Sequence, residues 1–361
     1  MVKIAVDCRM LNLSGIGVYL ENRLSDWIQN SDIEWILIGD KELLCKYEAE
    51  NCTISHCVIP TFSYTELFRF PVDVLNQCSA FYTPTFSVPG RIKIPVFCTI
   101  HDVVFLDFKD VTNYFGRMIR KLLIYRAILK SQTVFTISQF SKERLIKHFK
   151  HPCKYKIAYS SLSANIDQYK DSEQKKVFDF VYILYVGNIK VHKGLDLLLE
   201  AHNKCRLKGS ELKLVIVGSA DNFKSHDSSI KKHLSKRNES IVFTGYVDTL
   251  TLYSIIANAK ALIQPSRYEG FGLPPLEALY FGKTPIISDI PVFKEIYSDL
   301  PVTYFKDNDS TDLADKILNL NNINIPIESI RQKINEKYNH ITTSNILLEE
   351  MKNYIFNIRK S

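Results

Sequence analysis

Short apolar runs alternate with longer amphipathic stretches along nearly the whole chain. In the first half the runs are VKIAVD, EWILIG, HCVIP, AFYTP, PVFCTI, TVFTI and YKIAYS. In the second half they are FVYILYVG, LKLVIVG, SIVFTG, AKALIQPS, TPIISD and PVTYF. Runs of this kind, bounded by turn residues and separated by helix-length segments, predict open parallel sheets with helices on both faces. There are too many strands for one sheet, so the pattern predicts an α/β chain of two doubly wound domains. The polar, aperiodic stretch Ser160–Phe180 reads as the linker. The expected division is residues 1–165 and 166–341, with a tail helix in 342–361 (ILLEEMKNYIFNIRK) packing back on the first domain. No repeat of solenoid length interrupts the alternation.

A length of 361 residues suits two domains. The formal charge of +7 favours acidic partners such as phosphates, nucleotides or an anionic membrane face. It also permits nucleic acid, but no recognised nucleic-acid module is present. The eight cysteines form no CxxC and fit no zinc spacing, which excludes a disulfide framework and indicates cytosolic usage. The opening MVKIAVDCRM reads as a strand rather than a signal peptide. No apolar run approaches the roughly 18–20 residues of a membrane span. The expectation is a cytoplasmic protein.

Ligands of doubly wound sheets bind outside the carboxyl ends of the strands, so an interdomain cleft is expected and the loops after strands carry the chemistry. The richest such loop is ALIQPSRYEGFGLPPLEALYFG. A strand ends near Gln264 and a helix begins at Pro274 or Pro275, where a missing N–H costs little. Between them Glu269, Gly270, Phe271, Gly272 and Leu273 form a bend whose backbone can approach a ligand closely. Backbone N–H groups and the helix dipole at Phe271–Leu273 favour a phosphate. Glu277, eight positions after Glu269, lies in the first helical turn. Each carboxylate suits a pair of sugar hydroxyls. Taken singly, Glu277 would only complement the helix dipole and Glu269 would be a solvated loop residue; the combination points to function.

The stretch resembles the E-x7-E motif of retaining glycosyltransferases of family 4, which have the GT-B fold. DCRMLNLSGIGVYLENRL, TISQFSKERL, YVGNIKVHKGLDLLLEA and TGYVDTLTLYSIIANAKALIQPS resemble the same family in the same order. The resemblance implies that Glu269 contacts hydroxyls of the transferred sugar and Glu277 the nucleotide ribose. It implies that the backbone of Phe271, Gly272 and Leu273 touches sugar and diphosphate.

The loop GNIKVHK (Gly187–Lys193) offers Lys193 to neutralise a diphosphate leaving group. The family often has arginine right after the glycine; here it is Asn188, and Lys190 or Arg267 are the candidates to replace that cation. Gly218-Ser219 and Gly245-Tyr246-Val247 also follow strands, and by resemblance Tyr246 and Val247 lie near the nucleobase. SGIG (Ser14–Gly17) lacks the third glycine of a dinucleotide fingerprint, and no clear ribose-binding acid follows the second strand, so NAD is set aside. By resemblance Gly15 and Gly17 face the donor diphosphate. His101, just past a buried strand, matches the family's cleft histidine, with Asp102 either orienting it or capping. DND (Asp307–Asp309) imitates a metal-binding DxD but sits where acids cap a helix. No metal or cofactor is expected.

Two basic segments, Arg117–Lys130 and Ser141–Lys156, read as a packed helix and a solvated face rather than as membrane patches. The resulting expectation is retaining transfer of a sugar from a GDP-, UDP- or dTDP-linked donor to a saccharide or lipid-linked saccharide. The first domain would select the acceptor and the second would hold the donor. Such a chain resembles enzymes of bacterial polysaccharide synthesis (O-antigen, capsule or lipopolysaccharide), with possible peripheral contact with the inner membrane. The alternatives are a nucleotide-sugar epimerase of the same fold and a non-catalytic nucleotide-sugar binder. A phosphorylase is set aside because no lysine stands in a recognisable pyridoxal phosphate context.

Overall fold

The computed structural model describes residues 2–63, 65–152, 154–170, 175–218, 239–320 and 326–360. The chain forms two compact units, Met1–Ala164 with Tyr338–Ser361, and Asn165–Lys337.

The first unit is built on seven parallel strands: β1 (Val2–Asp7), β2 (Ile33–Gly39), β3 (Cys52–His56), β4 (Ala80–Thr83), β5 (Val96–Thr99), β6 (Ser131–Thr136) and β7 (Tyr155–Ile157). Their order is β3-β2-β1-β4-β5-β6-β7. Central strands such as β4 and β5 are buried at every position, because helices cover both faces and leave no residue to water. On one face the helix Ser14–Trp27 buries Leu20, Leu24 and Trp27, and Trp27 stacks on Trp35 of β2 at 5.6 Å. The helix His340–Lys360 returns to this face and adds Leu347, Leu348, Met351 and Ile355 to the same core. Trp27 Nε1 donates to the Ser344 carbonyl at 3.3 Å.

One strand lies elsewhere than the apolar run suggested. The run HCVIP spans 56–60, but β3 ends at His56. This is an edge strand that pairs only with β2, so it needs little apolar content, and no residue of Cys52–His56 is fully buried.

The second unit contains β8 (Tyr182–Val186), β9 (Lys213–Val217), β10 (Ile241–Gly245), β11 (Ala261–Gln264), β12 (Pro285–Ser288) and β13 (Thr303–Phe305), in the order β10-β9-β8-β11-β12-β13. All pairs are parallel. Its core joins Ile183, Leu214, Ile216 and Ile263 to Leu195, Leu198 and Leu199 of the helix Leu195–Leu207. Asp309 of the DND stretch accepts from the N–H groups of Thr311 and Asp312 and so caps the helix Ser310–Leu318.

In both sheets the strand order reverses beside the first strand, between β1 and β4 and between β8 and β11. Loops on the two sides of such a reversal diverge and leave a crevice at the strand carboxyl ends.

The helix Tyr114–Lys130 packs through Ile124, Ala127 and Ile128. Its arginines serve the packed side: Arg117 Nε donates to the Phe105 carbonyl at 2.9 Å, and Arg126 donates to the carbonyls of Val88 and Pro89. Most of its larger apolar residues face outward.

Candidate donor site in the second unit

The loop after β8 and the loop after β11 meet at the reversal point of the second sheet. A tight turn, Val191–Lys193, ends at Gly194, whose φ of +68° lies in the left-handed region. A Cβ on Gly194 would stand 1.9 Å from the Pro265 carbonyl oxygen, so only glycine lets the two loops touch. Arg267 then staples them. Its backbone N–H donates to His192 O at 2.8 Å and its Nη1 to Val191 O at 2.8 Å. Its guanidinium grips Asp196 through two bonds of 2.8 and 2.6 Å, and Nε reaches Asn308 Oδ1 at 2.6 Å. Arg267 therefore braces the loops. Lys190 is exposed on the first of them, as is Asn188.

The staple presents Lys193 to Glu269. Lys193 Nζ donates to both carboxylate oxygens, at 2.7 Å to Oε1 and 2.6 Å to Oε2. Oε1 also accepts from Ser266 Oγ at 2.8 Å and Gln264 Nε2 at 3.2 Å. Glu269 is buried, and burial by itself would push its carboxyl up. The Lys193 charge and the bonds from Lys193 and Ser266 outweigh it, and the carboxyl stays below the ordinary glutamate range. Glu269 is thus an ionised, fixed acceptor. Oε1 takes three bonds and is filled, whereas Oε2 takes one and keeps capacity. Lys193, with three N–H groups, has one left.

Glu277 is the opposite case. It sits in the helix Pro274–Tyr280, half-buried, and among the described residues no donor faces its carboxylate. Burial alone pushes it up to about 7. The loop between the acids is rigid. Gly272 has φ +91°, and a Cβ there would lie 2.6 Å from the Phe293 ring. The Gly272 carbonyl accepts from the Tyr297 hydroxyl. Phe271 and Gly270 are buried, and Leu273 precedes two prolines that carry no N–H. Beside this loop His192 and Gln264 are buried, with His192 Nδ1 and Gln264 Oε1 unpaired among the described residues. Burial, with the neighbouring Lys193 charge, brings the His192 imidazole down to about 4.

The remaining second-unit candidates lie on neighbouring strand ends. Gly218 ends β9, and a Cβ there would lie 2.2 Å from the Gly187 carbonyl oxygen, so this pair is packed backbone to backbone. Ser219 lies outside the described residues. Gly245 closes β10, and after it Tyr246 is 88% exposed with Val247 half-buried.

Three candidates belong to the first unit. His101 Nε2 lies 3.0 Å from the Pro84 carbonyl, and its ring meets the edge of Tyr19 at 4.7 Å. Burial, opposed by the bond to Pro84, brings the imidazole down to about 4. A carbonyl can only accept, so Nε2 carries the proton and Nδ1 presents a lone pair. Asp102 Oδ1 caps the Val104 N–H at 3.0 Å. Gly15 and Gly17 fall in the first turn of Ser14–Trp27, but they differ. Space around a Gly15 Cβ is open, while a Gly17 Cβ would lie 2.7 Å from the Met10 carbonyl oxygen. Gly17 thus answers to its own chain.

Sequence reasoning passed over Ser266, Gln264, Gly194 and the Asp196–Arg267 staple. It also missed a second charged cluster. Arg9, after β1, bonds Asp7 at 2.9 and 2.7 Å, Glu66 at 3.0 Å and the Ile59 carbonyl at 2.9 Å, with both acids buried. A buried polar pair at a strand end (Gln264 with Ser266, or Asp7 in an otherwise apolar run) was the available signal.

A family model described as glycosyl transferases, group 1, matches residues 167–339. The matched stretch coincides with the second unit, which is thus similar to group 1 glycosyl transferases. The chain is 25% identical to O-antigen chain mannosyltransferase B of Escherichia coli over 61% of its own length and 59% of that protein's. It is 26% identical to O-antigen chain mannosyltransferase RfbU of Salmonella typhimurium over 56% of its own length and 54% of that protein's. The matched stretch is thus little more than half the length of these relatives. The structure of Anabaena HepE in complex with UDP-glucose is similar at TM-score 0.77 and 15% identity, covering 98% of this chain and 100% of that one. At that identity the likeness shows the GT-B fold, with two Rossmann-like domains, to which the second unit contributes the six-stranded sheet.

Proposed function

We propose that the chain is a retaining glycosyltransferase of family 4 that moves a sugar from a nucleotide diphosphate donor to a saccharide or lipid-linked saccharide. The observation that carries this reading is the pairing of a fixed, ionised Glu269 with a bare Glu277 across one braced loop. Two acids in such different environments do different work. Glu269 Oε2 accepts from a hydroxyl of the transferred sugar. Glu277, once ionised, accepts from the two ribose hydroxyls, which supply the donors it lacks. Lys193 spends its third N–H on the diphosphate, and the backbone at Gly272 and Leu273 approaches the same phosphates.

In the transfer step the bond from the anomeric carbon to the diphosphate oxygen breaks. An acceptor hydroxyl attacks from the face the leaving group departs, and its proton passes to the departing phosphate oxygen. Configuration is retained without an enzyme nucleophile. Lys193 stabilises the charge that develops on the leaving group. His101, in the first unit, keeps a neutral ring whose Nδ1 can accept from a hydroxyl. No metal or other cofactor is assigned a role. The relatives' printed names, O-antigen chain mannosyltransferases, support an acceptor of the O-antigen type.

The test is a panel of GDP-, UDP- and dTDP-sugars screened by thermal shift, followed by product NMR with the donor that binds. The anomeric configuration of the donor should persist in the product. Inversion, or isomerisation of the donor with no acceptor present, would overturn the proposal.

A further inference from the structure

The helix Tyr114–Lys130 carries five cations and no acid (YFGRMIRKLLIYRAILK). An amphipathic helix of a globular unit turns its apolar stripe to the core. Here the stripe faces water. Phe115, Met118, Ile119, Leu122, Tyr125 and Leu129 recur at spacings of three and four and are all exposed, Phe115 by 69% and Leu122 by 61%. Lys121 and Lys130 are exposed beside this stripe, one on each flank by helical projection. The guanidinium groups of Arg117 and Arg126 are held by the loop carbonyls of Phe105, Val88 and Pro89. Tyr125 stacks on Phe149 of the helix Gln139–Phe149, which extends the surface toward exposed Ile146, Lys147 and Lys150.

We infer that this face docks on the surface of an anionic lipid bilayer, with the helix lying in the interfacial plane. An apolar stripe about 21 Å long with aromatic residues on it and lysines along its edges matches the acyl–headgroup boundary, where lysines meet anionic headgroups. Charge also argues against a second copy of the chain. A symmetric pairing of this helix would bring cations toward cations with no acid of the helix to balance them. The inference stands on the first unit alone and does not depend on the chemistry of the second unit.

The test is flotation of the full chain with vesicles of phosphatidylcholine, pure or mixed equally with phosphatidylglycerol. The chain should float with the mixed vesicles and stay behind with the neutral ones, and added salt should weaken the association. The variant Phe115→Gln/Leu122→Gln should lose flotation while its thermal midpoint stays put, since both side chains are already exposed. Lys121→Glu/Lys130→Glu should weaken binding to mixed vesicles by about tenfold or more. Failure to float with mixed vesicles, equal flotation with both, or flotation indifferent to Phe115→Gln/Leu122→Gln overturns the inference. So does a dimer in light scattering that Leu122→Gln dissolves.

Discussion

Both sheets reverse their strand order beside the first strand, and both carry buried charge there, but they spend it differently. After β1 the cluster Asp7–Arg9–Glu66 closes on itself. Arg9 bonds two acids and a carbonyl, and its guanidinium lies 4.6 Å over the Phe70 ring. Burial would lower the Arg9 pKa, yet the two acids raise it well above the ordinary value. After β8 and β11 the pair Lys193–Glu269 is equally tight, but Glu277, His192 Nδ1 and Gln264 Oε1 are left over. The same fold thus offers a closed charge cluster that braces and an incomplete one that has something left to bind with. Native interiors pair nearly all buried polar groups, so these leftovers are the groups the proposed donor site would use.

That contrast can be broken most sharply at Arg9. Arg9→Met strands two buried carboxylates and should cost about 3–5 kcal/mol in denaturant unfolding. Loss of less than a kcal/mol would mean that the first cluster is not the brace described. In the second unit the main cost should fall on activity. Glu269→Ala should abolish transfer with the circular dichroism spectrum intact, and Lys193→Met should lower kcat by about a hundredfold or more. Near-normal turnover in either variant would remove that residue from the site.

Glu277 gives a pH signature. Its folded pKa of about 7 exceeds the ordinary 4.5, so the folded chain holds a proton that the unfolded chain releases between those values. Stability from this group therefore falls as pH rises through about 4.5 to 7. Donor affinity should move the other way and weaken as pH falls below about 7, because only the carboxylate accepts from a diol. Glu277→Gln should flatten both slopes in calorimetric titrations. A donor affinity that keeps its slope in this variant would place the titrating group elsewhere. The smallest expected effect belongs to the connecting loop. Gly272→Ala, at φ +91° against Phe293, should cost about 1–2 kcal/mol of unfolding free energy.

Much of this was legible in the sequence for a definite reason. Strands buried on both faces read as unbroken apolar runs, so β1, β8 and β9 announce themselves. The edge strand β3 has no such burial, and the nearby run HCVIP misleads by four residues. The spacing of Glu269 and Glu277 marks the site because one short loop holds both. The Arg267–Asp196 staple was opaque because its partners stand 71 positions apart and only the sheet topology joins them. The helix Tyr114–Lys130 packs through Ile124, Ala127 and Ile128, but which residues it would leave exposed was not legible. Its period is helical whichever face turns inward, and only the loop carbonyls that capture Arg117 and Arg126 decide the matter.

The return of His340–Lys360 to the first core sets an order on synthesis. The helix Ser14–Trp27 and Trp35 emerge early, yet the side chains that cover them, from Leu347 to Ile355, emerge after the whole second unit. A nascent chain folding as it is made can close the second sheet before the first. Until then the Trp27–Trp35 face lacks the cover of Leu347, Leu348, Met351 and Ile355. The first unit, though translated first, is the last to be sealed.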